Sequence, residues 1–381
     1  MGREVTVVYA REEPPERWDA AVFLAGPSPR SPEVASWRPE AVALLCERWA
    51  HAGRLVVFSP EHRHDRYDDY LGQIDWEERC LHLSDVVLFY VPRDLATMPA
   101  LTTNVEWGVW HDSGRVVFGA PPEAPRNRYL LHYAAKFDVP TATDLPGTVD
   151  AALAVVGEGA SRAEGECEVP LLIWRTDPFR RWYRAQRGAG NTLLGARLVW
   201  RFGAHWALHV QVHVAAEGRV KANEVVLARP DISTVLLYRP GPTLDETTVV
   251  LVREFRSPAT TPDGFVHELP GGSGPADPLE RAHAEVAEET GLAIDAARLR
   301  AHSDRQVAAT LSAHRAHLYS AEITEAELEW LRAAGPGGVA ADGERTHVEI
   351  TTYGALRRDR LVDWSTLGMV AEALEAGPPG A

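Results

Sequence analysis

Cysteine is scarce in this chain, and the three that occur, Cys46, Cys80 and Cys167, are scattered and odd in number. They imply neither a disulfide framework nor a thiolate metal site, and suit small buried hydrophobes in a reducing cytoplasm. Long apolar runs are missing as well: nothing approaches the roughly 20 residues that span a bilayer, and no signal-peptide pattern opens the chain. Met1-Gly2-Arg3-Glu4-Val5-Thr6 meets a myristoylation pattern by chance, since residues 5–9 read as a strand entering a core. Positive charge is also in deficit. Lys and Arg number 39, nearly all of them Arg, against 54 Asp and Glu, for a net charge of −15. That balance argues against a nucleic-acid or anionic-membrane surface as the main partner and leaves small anionic substrates open.

What is present is a chain of 381 residues, 45% hydrophobic, long enough for two or three domains with cores of their own. In its first 155 or so residues, short apolar runs at 5–10, 21–25, 55–58, 86–91 and 116–118 read as strands. Segments at 33–52 and 70–83 suit helices, and the alternation predicts an α/β layer fold with a mostly parallel sheet. Ligands of such sheets sit beyond the carboxyl ends of the strands, so the loops there matter most.

Those loops hold Gly26-Pro27-Ser28-Pro29-Arg30, small residues and an Arg that can approach an anion, and Leu101-Thr102-Thr103-Asn104-Val105-Glu106-Trp107-Gly108. Asp75-Trp76-Glu77-Glu78 lies about two helical turns ahead of Asp85. This constellation resembles the nucleoside 2-deoxyribosyltransferase-like family, which includes nucleoside 5′-monophosphate N-glycosidases. The resemblance implies a flavodoxin-like, doubly wound sheet with Glu106 as nucleophile at the anomeric carbon. Gly26 would form part of the sugar or phosphate turn, with Ser28, Arg30 and Asn104 as further substrate contacts. Glu77 stands where the family usually has Asp. Such chemistry needs two carboxyls because its transition state resembles an oxocarbenium ion. A bland reading makes Glu106 a helix N-terminal charge, and Asp85 reads as structural.

From 157 to 169 the composition turns to Gly, Glu, Ser and Ala without periodicity, which reads as a linker. The expected division is therefore 1–157, a linker at 158–170, and 171–381. Trp174, Phe179, Trp182 and Tyr183 then alternate with Arg175, Arg180, Arg181 and Arg184, a mixture that suits base stacking or an amphipathic helix docking one domain on another. Docking is the expectation in so acidic a chain.

Alternating strands dominate from residue 196, and a helix follows with a written start and stop. Asp277 can cap it, Pro278 suits its first turn, and Gly291 provides a left-handed exit. Leu279, Ala282 and Val286 share one face, while Glu285, Glu288 and Glu289 crowd another, as if awaiting a hard divalent cation. Glu268-Leu269-Pro270-Gly271-Gly272 precedes the helix.

Together these stretches resemble the Nudix hydrolase box. They depart from it in a loop two residues short after Gly272 and in Ala284, where the family has Arg; Arg281 lies one turn earlier. The resemblance implies an α/β/α sandwich with a mixed sheet. It also implies Mg²⁺ or Mn²⁺ held at Gly272, Glu285, Glu288 and Glu289, the last also catalytic. The run Val252-Arg253-Glu254-Phe255-Arg256 is similar to the ADP-sugar pyrophosphatase branch, implying Arg253 and Arg256 as phosphate contacts and Glu344 as a general base in a closing loop.

The combined expectation is a bifunctional, metal-dependent hydrolase of small nucleotides, cytoplasmic, with no nucleic-acid or membrane partner and compatible with a homo-oligomer. One half would cut a nucleoside diphosphate-X or polyphosphate to a 5′-monophosphate, and the other would release the base. A nucleotide sensor with a degenerate second domain, and a sugar transferase with an accessory one, remain open.

Overall fold

A computed structural model describes residues 2–63, 70–274, 276–339 and 343–375. Residues 340–342, in the expected closing loop, lie outside them, as does Met1 of the myristoylation pattern. The chain divides into two compact units, one of residues 1–202 and 206–225, the other of 203–205 and 226–381. Among the described residues no helix is long and apolar enough to cross a membrane.

The first unit is built on β1 (Arg3–Tyr9), β2 (Ala20–Ala25), α1 (Arg38–Arg48), β3 (Gly53–Ser59), α2 (Tyr70–Leu83), β4 (Val86–Tyr90), α3 (Leu101–Trp110), β5 (Val116–Gly119), α4 (Arg128–Lys136), β6 (Thr141–Ala142) and α5 (Leu145–Val156). Its strands pair in parallel in the order β1-β3-β2-β4-β5-β6. Every residue of β2 and of β4 is buried, because helices cover both faces and leave no side for water. Ala21, Phe23 and Ala25 meet Trp76, Cys80 and Trp107 on one face, while Ala20, Val22 and Leu24 meet Ala41, Leu45 and Val149 on the other. This is a doubly wound sheet, as expected. α1 is shorter than the expected 33–52, starting at Arg38 with Pro39 in its first turn, where the missing N–H has no partner to lose.

The expected linker is not one. Arg162, 1% exposed, gives both terminal nitrogens to Asp85, at 2.9 and 2.6 Å, and also donates to the Val169 and Asp19 carbonyls. Asp85 accepts the N–H groups of Ala21 and Leu171 as well. A buried ion pair so fully hydrogen-bonded fixes the segment in the core of the first unit, and Asp85 is structural. Beyond it come α6 (Leu171–Trp174), α7 (Asp177–Gly188) and a three-stranded sheet of β7 (Thr192–Phe202), β8 (His205–Val214) and β9 (Arg219–Ala228). Ala196 N–H donates to Glu168 at 2.8 Å, tying β7 back to the same segment. The second unit therefore begins near residue 226 instead of 171.

That unit contains β10 (Ile232–Arg239), β11 (Thr248–Phe255), β12 (Phe265–Glu268), β13 (Gly271–Ser273), α8 (Pro278–Thr290), β14 (Arg300–Gln306), β15 (Arg315–Glu322), α9 (Glu325–Arg332), β16 (Thr346–Thr352), α10 (Tyr353–Asp359) and α11 (Trp364–Glu375). The sheet runs β12-β11-β10-β15-β14, with β13 also on β10 and β16 on β11. Among the described residues of this sheet, β10 and β15 pair in parallel and the other pairs are antiparallel, so the sheet is mixed. Val235 and Leu237 face α8 and α9, whereas Leu236, Val249 and Leu251 face α10 and α11, giving the expected sandwich. The start and stop of α8 form as read: Asp277 accepts Leu279 N–H at 2.9 Å, and Gly291 exits at φ 72°. Leu279, expected on the buried face with Ala282 and Val286, is 37% exposed because it lies in the first turn.

Candidate active site

In the first unit β3 lies on one side of β2 and β4 on the other, so the chain reverses direction of travel across the sheet between β2 and β4. The carboxyl ends of these two strands frame a crevice, the place where doubly wound sheets bind ligands. Gly26 ends β2 with φ 151°, and a Cβ there would stand 2.2 Å from the Tyr90 carbonyl oxygen and 2.7 Å from the Trp37 ring. Only glycine lets the two strand ends approach so closely.

Arg38 secures this turn. It is 2% exposed, and its guanidinium donates to the carbonyls of Leu24 (3.0 Å) and Gly26 (2.6 Å), to Ser28 Oγ (3.0 Å) and to Glu61 (3.0 Å). Burial lowers its pKa, opposed by the charges of Glu61, Glu106 and Glu77. The arginine thus supplies a fixed positive charge beneath two carboxyls.

Those carboxyls, Glu77 of α2 and Glu106 of α3, line one cleft of about 700 Å³ with Gly26, Ser28, Arg30 and Arg38. Gln73, one turn before Glu77, donates to it at 2.8 Å. Burial raises the Glu77 pKa, and Gln73, Arg38 and His62 pull it back. Glu106 is half-buried and pushed up to about 7, first by burial and then by the charge of Glu77, with Arg38 opposing. Two neighbouring acids that are both raised can hold one proton between them, leaving one ionised to attack and one protonated to donate. At the mouth, Arg197 of β7 donates to His82 Nε2 at 2.9 Å and lies 3.7 Å from Glu78. Burial and the neighbouring Arg197 and Arg115 lower His82 to about 4, keeping its ring neutral and able to accept.

The expected residues Gly26, Ser28, Arg30, Glu77 and Glu106 are brought together. Asn104 is not among the residues that line the cleft: its side-chain oxygen accepts from Arg93 at 2.6 Å. Two positions along a helix turn a side chain by about 200°, which sends Asn104 away from Glu106. Glu106 itself sits in the second turn of α3 and is not an N-terminal dipole charge. Sequence reasoning missed Arg38, Gln73 and Arg197. An Arg at the first position of a helix opposes the dipole, and that mismatch was a legible sign of another task for Arg38.

In the second unit Glu285 and Glu289 are buried, 8% and 4% exposed, while Glu288 is exposed. Glu285 accepts from Arg281, one turn earlier, at 3.3 Å. A Cβ at Gly272 would fall 2.1 Å from a Glu285 carboxyl oxygen, so a side chain there would push that carboxyl aside. Glu289 accepts Gly271 N–H at 2.8 Å and is pushed up to about 9, chiefly by burial and then by Glu285, Glu268 and Glu254. Glu344 is half-buried, and its charge helps raise the pKa of Glu285 and of Glu254.

The two expected phosphate arginines are already engaged, Arg253 with Asp263 at 2.9 Å and Arg256 with Glu254 and Glu268 at 2.8 and 3.3 Å. Carboxylate oxygens are the donors a hard cation takes, and binding one would require Glu285 and Glu289 to release their protons. Among the described residues, no three His, Cys, Asp or Glu side chains gather as a metal-holding group.

No curated protein matches this chain. Residues 19–124 match the family model described as nucleoside 2-deoxyribosyltransferase like, a stretch that ends well before the second unit. It contains Gly26, Arg38, Glu77 and Glu106, so the first unit carries a nucleoside 2-deoxyribosyltransferase-like region around this cleft.

Proposed function

We propose that the first unit breaks the N-glycosidic bond of a nucleoside or nucleotide. The observation that carries this reading is the pair of half-buried carboxyls, Glu77 and Glu106, each raised in pKa beside the buried Arg38 in one cleft at the strand-order switch. Ionised Glu106 attacks the anomeric carbon as the bond to the base breaks, and protonated Glu77 gives its proton to the departing base. The glycosyl ester on Glu106 is then opened by water, or by a second base, with Glu77 taking the proton back. The cleft supports both outcomes. Incubating the protein with nucleosides and 5′-monophosphates and resolving the bases chromatographically tests the reading, and absence of base release or exchange from every member of the panel overturns it.

For the second unit, two proposals stand on different observations. The acidic helix α8 after the Gly271-Gly272 turn supports Mg²⁺- or Mn²⁺-dependent cleavage of a nucleoside diphosphate-X, yielding the monophosphate that the first unit would consume. The engaged Arg253 and Arg256, with no gathered ligand trio among the described residues, support nucleotide binding without cleavage. Calorimetry and product analysis with ADP-ribose, with and without Mg²⁺, separate them: turnover only with the metal favours the first, binding without products the second.

A further inference from the structure

The segment from α6 to α7 holds a feature that neither activity uses. Trp174 lies 5.3 Å from Phe179 and 5.4 Å from Tyr183 between ring centroids, and Phe179 stacks on Tyr183 at 5.7 Å with 15° between planes. Phe179 is fully buried, and the Tyr183 hydroxyl donates to Glu166, so the ring platform is held in place. These rings line an open concavity of about 530 Å³, which shares no lining residue with the Glu106 cleft.

Arg180, Arg184 and Arg187 line the same concavity. At spacings of four and three they fall on one face of α7, along about 10 Å of its axis. All three are exposed. Elsewhere in the first unit arginines meet carboxylates, as Arg48 meets Asp150, Arg54 meets Glu4 and Arg63 meets Glu12. Among the described residues, Arg180, Arg184 and Arg187 form no ion pair; Arg187 lies 5.9 Å from the centre of the Tyr183 ring. In a chain of net charge −15, three aligned and unmatched guanidinium groups are an arrangement that a bridging anion would stabilise.

We propose that this concavity is a second ligand site for a nucleoside polyphosphate, with the base against the Trp174 and Tyr183 rings and the phosphates along the three arginines. Its volume lies in the range of sites for one small ligand. The arginine row matches a run of phosphates better than a single one, and flat rings beside arginines suit a base. A long nucleic acid would bring its charge against the rest of an acidic surface. An acidic peptide would use the arginines and leave the rings idle. The proposal is independent of the chemistry at Glu106.

ATP is titrated calorimetrically in EDTA into the full-length protein and into the triple variant Arg180→Ala, Arg184→Ala, Arg187→Ala. In parallel, amide exchange is followed over residues 171–188. The variant is expected to lose one ATP site, or to bind there at least tenfold more weakly, with an unchanged unfolding midpoint. ATP is expected to slow exchange of 171–188 in the wild type alone. Identical titrations of the two proteins overturn the proposal. So does tripolyphosphate binding as tightly as ATP, which would show that no base is read, or a single-stranded oligonucleotide or polyglutamate binding more tightly than ATP through the same arginines.

Discussion

Glu106 keeps its proton up to about pH 7 because burial and the charge of Glu77 oppose ionisation more strongly than Arg38 favours it. Attack needs Glu106 ionised and Glu77 protonated, a pair holding one proton, so single-turnover base release should be greatest below about pH 7 and fall about tenfold per unit above it, where that last proton leaves. Glu106→Gln should lower that rate by about three orders of magnitude with substrate affinity retained. A rate that keeps rising through that pH would mean that the base leaves without a proton from the pair. Glu289 titrates at about 9 against an unfolded value of 4.5, so its shift has a stability consequence. Between those values the folded chain keeps a proton that the unfolded chain has released, and stability therefore declines as pH rises through the window. Glu289→Gln, which cannot ionise, should match the wild type near pH 4.5 and exceed it by on the order of a few kcal/mol at pH 9 without divalent metal. Denaturant unfolding at both pH values measures the gap, and a gap independent of pH contradicts the assignment. Narrowing by added Mg²⁺ would support the cation proposal.

At the scale of elements, the segment joining α5 to α6 is held by one buried pair. Arg162→Ala leaves the Asp85 carboxylate, 4% exposed, without its cation and should cost about 3–5 kcal/mol in urea unfolding, with faster amide exchange over residues 157–175. A loss under 1 kcal/mol would return the segment to the status of a linker. The pair also marks the limit of what the sequence reveals. The β2 and β4 strands and the ends of α8 were readable because each writes its structure locally, as a continuous apolar run or as a cap, a proline and a glycine. Arg162 and Asp85 are 77 residues apart, and the Gly, Ser and Ala around Arg162 look like any flexible stretch. The site divides the same way. Gly26, Glu77 and Glu106 belong to loops and helices that follow strands of the sheet, where function is expected. Arg197 reaches the cleft from β7, a strand far along the chain whose local pattern carries no trace of that destination.

For the molecule as a whole, the position of the boundary is a prediction about which pieces fold. A fragment ending at residue 157 lacks Arg162 and the Leu171 N–H, both of which satisfy Asp85 in the intact chain. A fragment beginning at 171 exposes Leu171, 2% exposed in the intact chain, where it shares a core cluster with Val22 and Val156. Both cuts strand buried groups, one a charge and the other apolar surface, and a stranded buried charge is among the costliest defects a core can carry. Division at 225 separates the chain where the two compact units meet in sequence and keeps the Arg162 pair, α6 and α7 with the parallel sheet. Fragment 1–225 should therefore unfold cooperatively, elute as a compact species and retain base release, while fragment 1–157 should be several kcal/mol less stable or aggregate. Circular dichroism melts and gel filtration of the two fragments decide it. Equal stability would mean that everything after residue 157 is dispensable to the parallel sheet, against the geometry of Asp85.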